Sequence, residues 1–145
     1  MKMNRKKALP VLALALACAV ASAGCGGGSA GIAALADGEY HGVSSEDDNG
    51  AYGDITITIE GGAVTGCVYV TYEKDGGIKG EDYGKVNGEI SNPDYYQKAQ
   101  LAVDAMQAYA DELARTGDPQ EVDAISGATN SYDQFQEAAA DALRG

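Results

Sequence analysis

Residues 54–60, Asp-Ile-Thr-Ile-Thr-Ile-Glu, alternate polar and apolar with a strict period of two. That period sends successive side chains to opposite faces of an extended backbone, and β-branched Ile and Thr suit a pleated surface better than a helix. Gly61-Gly62 follows as a tight-turn signal, and residues 64–72 form a second run with Val68, Val70 and Tyr72 on one face. The two runs predict an antiparallel hairpin. A shorter strand is expected over Gly38–Val43, ahead of a polar loop, residues 44–53, that holds Glu46, Asp47, Asp48 and Asn49. A lone hairpin is barely stable in water, so its apolar face needs a cover.

The rest of the chain supplies two helices. After a Gly-rich segment without a clear period, residues 78–92, Pro93 and Asp94 suit the opening turn of a helix. Tyr96, Ala99, Val103, Met106, Ala110 and Leu113 recur at intervals of three and four, which predicts a helix of about five turns ended by Gly117-Asp118-Pro119. A short link, residues 120–125, leads to a last amphipathic helix over residues 132–143. The pattern is α+β: one domain, with a small antiparallel or mixed sheet packed against two main helices. No internal repeat is present.

The N-terminus assigns a compartment. Lys2, Arg5, Lys6 and Lys7 precede an uncharged apolar run of 16 residues from Ala8 to Ala23, short of the roughly 20 that a spanning helix needs. Ser22-Ala23-Gly24-Cys25 then places small residues directly before a cysteine, so residues 1–24 read as a secretory signal and resemble that of a bacterial lipoprotein, with Cys25 the acylated residue. Gly26-Gly27-Gly28-Ser29 fits a flexible tether, residues 25–36. The expected location is the extracytoplasmic face of the cell membrane, through a lipid anchor.

Charge excludes some partners. All 22 acidic residues lie beyond Cys25, whereas four of the ten basic ones lie in the first seven positions, so the exported part is more acidic than the overall net charge of −12. Neither nucleic acid nor anionic lipid is an expected partner of such a surface. With Cys18 in the leader and Cys25 acylated, Cys67 alone remains, which rules out a disulfide framework and a cysteine metal site. The acidic run at residues 46–48 lacks the spacing of a calcium loop, and no metal site is expected.

Chemistry concentrates in residues 123–131, Asp-Ala-Ile-Ser-Gly-Ala-Thr-Asn-Ser. A small, hydroxyl-rich turn opening a helix directs free N–H groups and the positive end of the helix dipole at any arriving anion. Gly127 can take the positive φ of a tight turn, and Asn130 or Ser131 can cap the helix. The stretch resembles the signature D-x-x-S-G-A-T-x-S/T, in which the Thr carries FMN through a phosphoester. With Asp37-Gly38-Glu39-Tyr40-His41-Gly42, the hairpin and Asp82-Tyr83-Gly84-Lys85, it makes residues 37–145 similar to the FMN-binding domain family. That family includes flavinylated subunits of the sodium-pumping quinone reductase and of Rnf-type complexes, and lipoproteins of extracellular electron transfer.

The resemblance implies a membrane-anchored electron carrier rather than an enzyme with catalytic residues of its own. FMN would be joined to Thr129, with Asp123, Ser126, Gly127 and Ala128 forming the signature read by a flavin transferase, and with membrane or extracellular redox proteins as partners. Tyr83 and Tyr132, among nine tyrosines, are the candidates to stack on the flavin. His41 is expected to be a hydrogen-bonded surface residue and Cys67 a small buried hydrophobe. No P-loop, His-Glu-x-x-His, Gly-x-Ser-x-Gly or nucleophile–His–Asp set is present. Two alternatives stay open: non-covalent binding of FMN or another phosphate ligand, and a cofactor-free surface lipoprotein.

Overall fold

The computed structural model describes residues 32–144. The signal at residues 1–24, Cys25 and the first part of the tether lie outside that range. Within the range expected as tether, Ile32–Ala34 forms a single 3-10 turn whose Ile32 is buried in the core. Ile32 is a full-sized apolar side chain amid small ones, and burying it outweighs the freedom of its neighbours.

Three strands, β1 (Gly38–Val43), β2 (Tyr52–Glu60) and β3 (Ala63–Tyr72), form an antiparallel sheet in the order β1-β2-β3. Strand β2 is central, and its alternation is realised residue by residue: Gly53, Ile55, Ile57 and Ile59 are buried, and their neighbours face outward. Gly61 and Gly62 make the hairpin turn with φ of 60° and 77°, a region that glycine enters without steric cost. The Asp37 carboxylate accepts the Gly61 N–H at 2.7 Å and ties that turn back to β1.

A bulge between Thr58 and Ile59 shifts the β2–β3 register. Ile57 therefore pairs with Cys67, Ile55 with Tyr69 and Gly53 with Thr71, which turns Cys67, Tyr69 and Thr71 inward. Val68, Val70 and Tyr72 do share a face, but it is the open one: Val68 is 63% exposed, and Tyr72 stacks on Tyr52 there at 5.4 Å.

Helices α1 (Pro93–Thr116) and α2 (Thr129–Ala142) cover the inner face, α1 across β3 and α2 across β1 and β2. Helix α1 runs 24 residues, longer than the apolar repeat implied. Asn92 caps its start by accepting the Tyr95 N–H at 3.1 Å, and Gly117, at φ 72°, closes it with a bond to Leu113 O. Helix α2 is alanine-rich where it touches the sheet, and Ala138, Ala139 and Ala142 are buried. It lies so close to β1 that a Cβ on Gly42 would sit 2.3 Å from both Ala138 O and Ala142 N. Small residues on both sides let two backbones meet.

An aromatic chain fills the space between the helices. The Phe135 ring lies 5.3 Å from Tyr69 and 5.5 Å from Tyr109, and Tyr109 meets Tyr132 edge-on at 5.6 Å. Such contacts add to the area that the rings bury.

Candidate functional site

The segment between the helices is held by tyrosine hydroxyls from three elements. Tyr109 of α1 accepts the Ile125 N–H at 3.0 Å and donates to Ala128 O at 3.3 Å. Tyr132 of α2 donates to Val122 O at 3.0 Å, and Tyr69 of β3 donates to Ser131 O at 2.7 Å. Burial pushes the Tyr69 and Tyr109 hydroxyls above their ordinary pKa, so both remain donors. Thr71 lies near enough to oppose the Tyr69 shift, yet its fully buried hydroxyl has no hydrogen-bond partner among the described residues.

The small residues of the motif each answer a local demand. Gly127 has φ 87°, and a Cβ there would lie 2.8 Å from Leu101 Cδ2. Ala128 is 3% exposed, wedged beneath the turn, and its N–H closes that turn onto Ile125 O at 3.0 Å.

Helix α2 begins at Thr129, with Ala128 as an N-cap that has no side-chain hydrogen bond. The expectation that Asn130 or Ser131 caps the helix is therefore corrected: both lie inside its first turn. The N–H groups of Thr129, Asn130 and Ser131 have no partner among the described residues, as the first turn of any helix leaves them unless something supplies an acceptor.

Those groups open onto a cleft of about 960 Å³. One wall is Gly127, Thr129, Asn130 and Ser131, and the floor is Ala51 and Gln134, joined by a 2.8 Å bond from Gln134 Nε2 to Ala51 O. A second wall is the loop at residues 47–51, where Asp47 accepts the N–H groups of Asn49 and Ala51 at 2.8 and 2.9 Å. Opposite stand the turn carrying Glu73, Lys74, Asp75 and Lys79, and then Tyr83, with Tyr95 and Ala102 from α1. Gln100 holds that side in place by donating to the carbonyl of Tyr83 at 2.9 Å. Burial pushes the Tyr83 hydroxyl up to about 12, and Lys79 Nζ lies 5.0 Å from its ring centre.

Of the residues singled out in the sequence, Gly127, Thr129, Asn130, Ser131 and Tyr83 therefore meet at one cleft. Thr129 is exposed and lines the cleft. Asp123 and Ser126 are exposed but outside the cleft lining, and Ala128 lies under it. Tyr132 is not part of the cleft lining: about 100° of rotation per helical residue carries it round to α1, where it packs on Tyr109. Sequence reasoning missed Tyr95, Lys79 and the loop at residues 47–51. Tyr95 was the most accessible of these, an aromatic off the apolar stripe at the start of α1.

The remaining candidates fall elsewhere. His41 Nε2 sits 3.0 Å from the Asp54 carboxylate on the outer sheet face. Burial first, and Asp111 second, push the Cys67 thiol up to about 12, which keeps it protonated and unreactive. No cluster among the described residues could hold a metal ion.

The model of the FMN-binding domain family matches residues 50–144. The chain belongs to the FMN-binding domain family. Its matched range holds β2, β3, both helices and all of the cleft lining except Asp47 and Asn49. The chain is 27% identical over 113 residues to a 15 kDa lipoprotein of Treponema pallidum, covering 75% of this chain and 74% of that one. The crystal structure of the CPE2226 protein of Clostridium perfringens has the same fold, with a TM-score of 0.60 and 21% identity over 76% of this chain and 87% of that one. No described helix is long and apolar enough to cross a membrane.

The residues present fit an FMN. Three residues with unpartnered N–H groups, one of them the exposed Thr129, line the cleft, suiting a phosphate. The Gly127 backbone can approach a ligand closely, the Tyr83 and Tyr95 rings offer flat surfaces, and the volume lies within the range of cofactor sites.

Proposed function

We propose that this FMN-binding protein is a lipid-anchored, extracytoplasmic electron carrier whose FMN is joined by a phosphoester to Thr129 Oγ1. The observation that carries this reading is the uncapped start of α2. A helix end left without a side-chain acceptor, beside an exposed Thr and a glycine at φ 87°, is well arranged for an anion that brings its own oxygens.

FMN, when bound, supplies a ring that accepts and returns electrons. The protein's part is position and shelter. The N–H groups of Thr129, Asn130 and Ser131 orient the phosphate, and the dipole of α2 favours its charge. Tyr83 and Tyr95 shield part of the cleft from water.

The lipoprotein signal supplies the anchor at Cys25, and a relative that bears the name lipoprotein supports that assignment. Because the motif segment is exposed at Asp123, Ser126 and Thr129, a flavin transferase can reach it on the folded domain. Membrane or extracellular redox proteins are the partners that such a carrier serves.

The test is mass spectrometry and a denaturing gel on protein from its own host. Wild type should show flavin fluorescence after denaturation and a mass increment of one FMN less one water, and Thr129→Ala should show neither. Flavin that washes out on denaturation would support non-covalent binding in the same cleft. A colourless wild type would point to a cofactor-free lipoprotein.

A further inference from the structure

Against 22 acidic residues, the described chain sets six basic ones: Lys74, Lys79, Lys85, Lys98, Arg115 and Arg144. Lys85 pairs with Asp82, Arg115 with Glu112 and Arg144 with Asp141, each three residues away. Lys74, Lys79 and Lys98 form no ion pair among the described residues. Two of these three line the same cleft, Lys74 and Lys79. Two of the three unpaired cations therefore stand at the candidate flavin site, in a lining that also carries Asp47, Glu73 and Asp75.

The two lysines differ. Lys74 is exposed, and its stem lies along Gly50 at the mouth. Lys79 is half-buried, and its position is fixed from both sides. Its N–H donates to Thr71 O at 2.9 Å on β3, and its ammonium lies over the Tyr83 ring. A half-buried charge is screened less by salt than an exposed one, and a cation on an aromatic face is held without being neutralised. Glu73, Asp75 and Asp47 also line the cleft but pair with neither lysine.

We propose that Lys79 sets the redox potential of the bound flavin by placing an unpaired positive charge in its cleft. The inference rests on the flavoprotein reading above. Uptake of two electrons and one proton by the neutral flavin ring leaves it with one negative charge. The electrons come from an external one- or two-electron donor, dithionite in the experiment below. A fixed cation nearby favours that anionic product and raises the potential.

The experiment is a dithionite titration against a reference dye of the full lipoprotein from its host, as wild type, Lys79→Gln, Lys79→Arg and Lys98→Gln. Lys79→Gln should move the midpoint about 30 mV or more in the negative direction, a tenfold change in relative affinity for the two redox states of a two-electron couple. Lys79→Arg should return towards wild type, and Lys98→Gln, which changes net charge equally, should stay at wild type. An unchanged midpoint in Lys79→Gln overturns the proposal, and so does an equal shift in Lys98→Gln. Loss of flavin from Lys79→Gln, with retention in Lys79→Arg, also overturns it, by assigning the residue to cofactor retention. A wild type without flavin refutes the underlying reading instead.

Discussion

Replacing Tyr109 by Phe removes one oxygen atom and, with it, two hydrogen bonds to the motif segment. The ring stays, so its contacts with Phe135 and Tyr132 persist and no cavity forms. What changes is polar. The Ile125 N–H loses its 3.0 Å acceptor, and Ala128 O loses a 3.3 Å donor inside the core. A buried polar group left unpaired costs about 1–3 kcal/mol. Ala128 O keeps the Tyr132 N–H at 3.0 Å and Ile125 is only half-buried, which places the loss at about 1 kcal/mol, the low end of that range. For a domain of this size that corresponds to a fall in Tm of about 4 °C. Urea unfolding should show a lower midpoint at unchanged slope, and hydrogen exchange at the Ile125 amide should accelerate. Tyr132→Phe, which removes the bond to the carbonyl of the buried Val122, should cost about as much. A Tyr109→Phe protein with wild-type midpoint and wild-type exchange at Ile125 would refute the idea that this hydroxyl holds the segment.

Gly42→Ala should destabilise by about 3 kcal/mol or more, because the new methyl would lie 2.3 Å from two backbone atoms of α2 that cannot rotate away; chemical unfolding with a loss below about 1 kcal/mol would show that the helix can retreat freely. Hydrogen bonds from the Ser45 hydroxyl and amide hold the Glu137 carboxyl below its usual range. A lowered folded-state value contributes stability above the ordinary Glu pKa of about 4.3 and loses it as pH falls. Glu137→Gln should therefore melt slightly below wild type at neutral pH and level with it in acid, and a gap that persists in acid would contradict the assignment.

Much of the fold was legible because hydrophobic period and turn chemistry agree. The isoleucine alternation, the Gly-Gly turn, Pro93 and Gly117 all mark elements that the structure contains. The orientation of β3 was not, since Val68-Val70-Tyr72 and Cys67-Tyr69-Thr71 are equally good strand residues and only the bulge at Thr58 decides which set faces the helices. The start of α2 was missed for a related reason. A search for a Ser, Thr or Asn cap moves the helix start beyond Thr129, whereas the turn ends on Ala128 and leaves the first N–H groups open. At the site, the contiguous stretch at residues 127–131 could be read directly. The far wall could not, because Asp47, Lys79 and Tyr95 belong to segments that approach one another only once the sheet and α1 are in place.

The cleft floor has a kinetic consequence. Gln134 reaches Ala51 across 83 residues of chain, Tyr69 reaches Ser131 across 62, and the N–H groups of Ser45 and Val43 reach Glu137 and Asp141 across 92 and 98. Each contact closes a loop comparable to the domain itself, and that entropy is lost before the contact repays it. The hairpin and α1 can form from near neighbours, but the docking of α2 on β1 and β2 must wait for both ends of the domain. A chain still being made has residues 123–131 only as a string, and the cleft comes into being with the last helix.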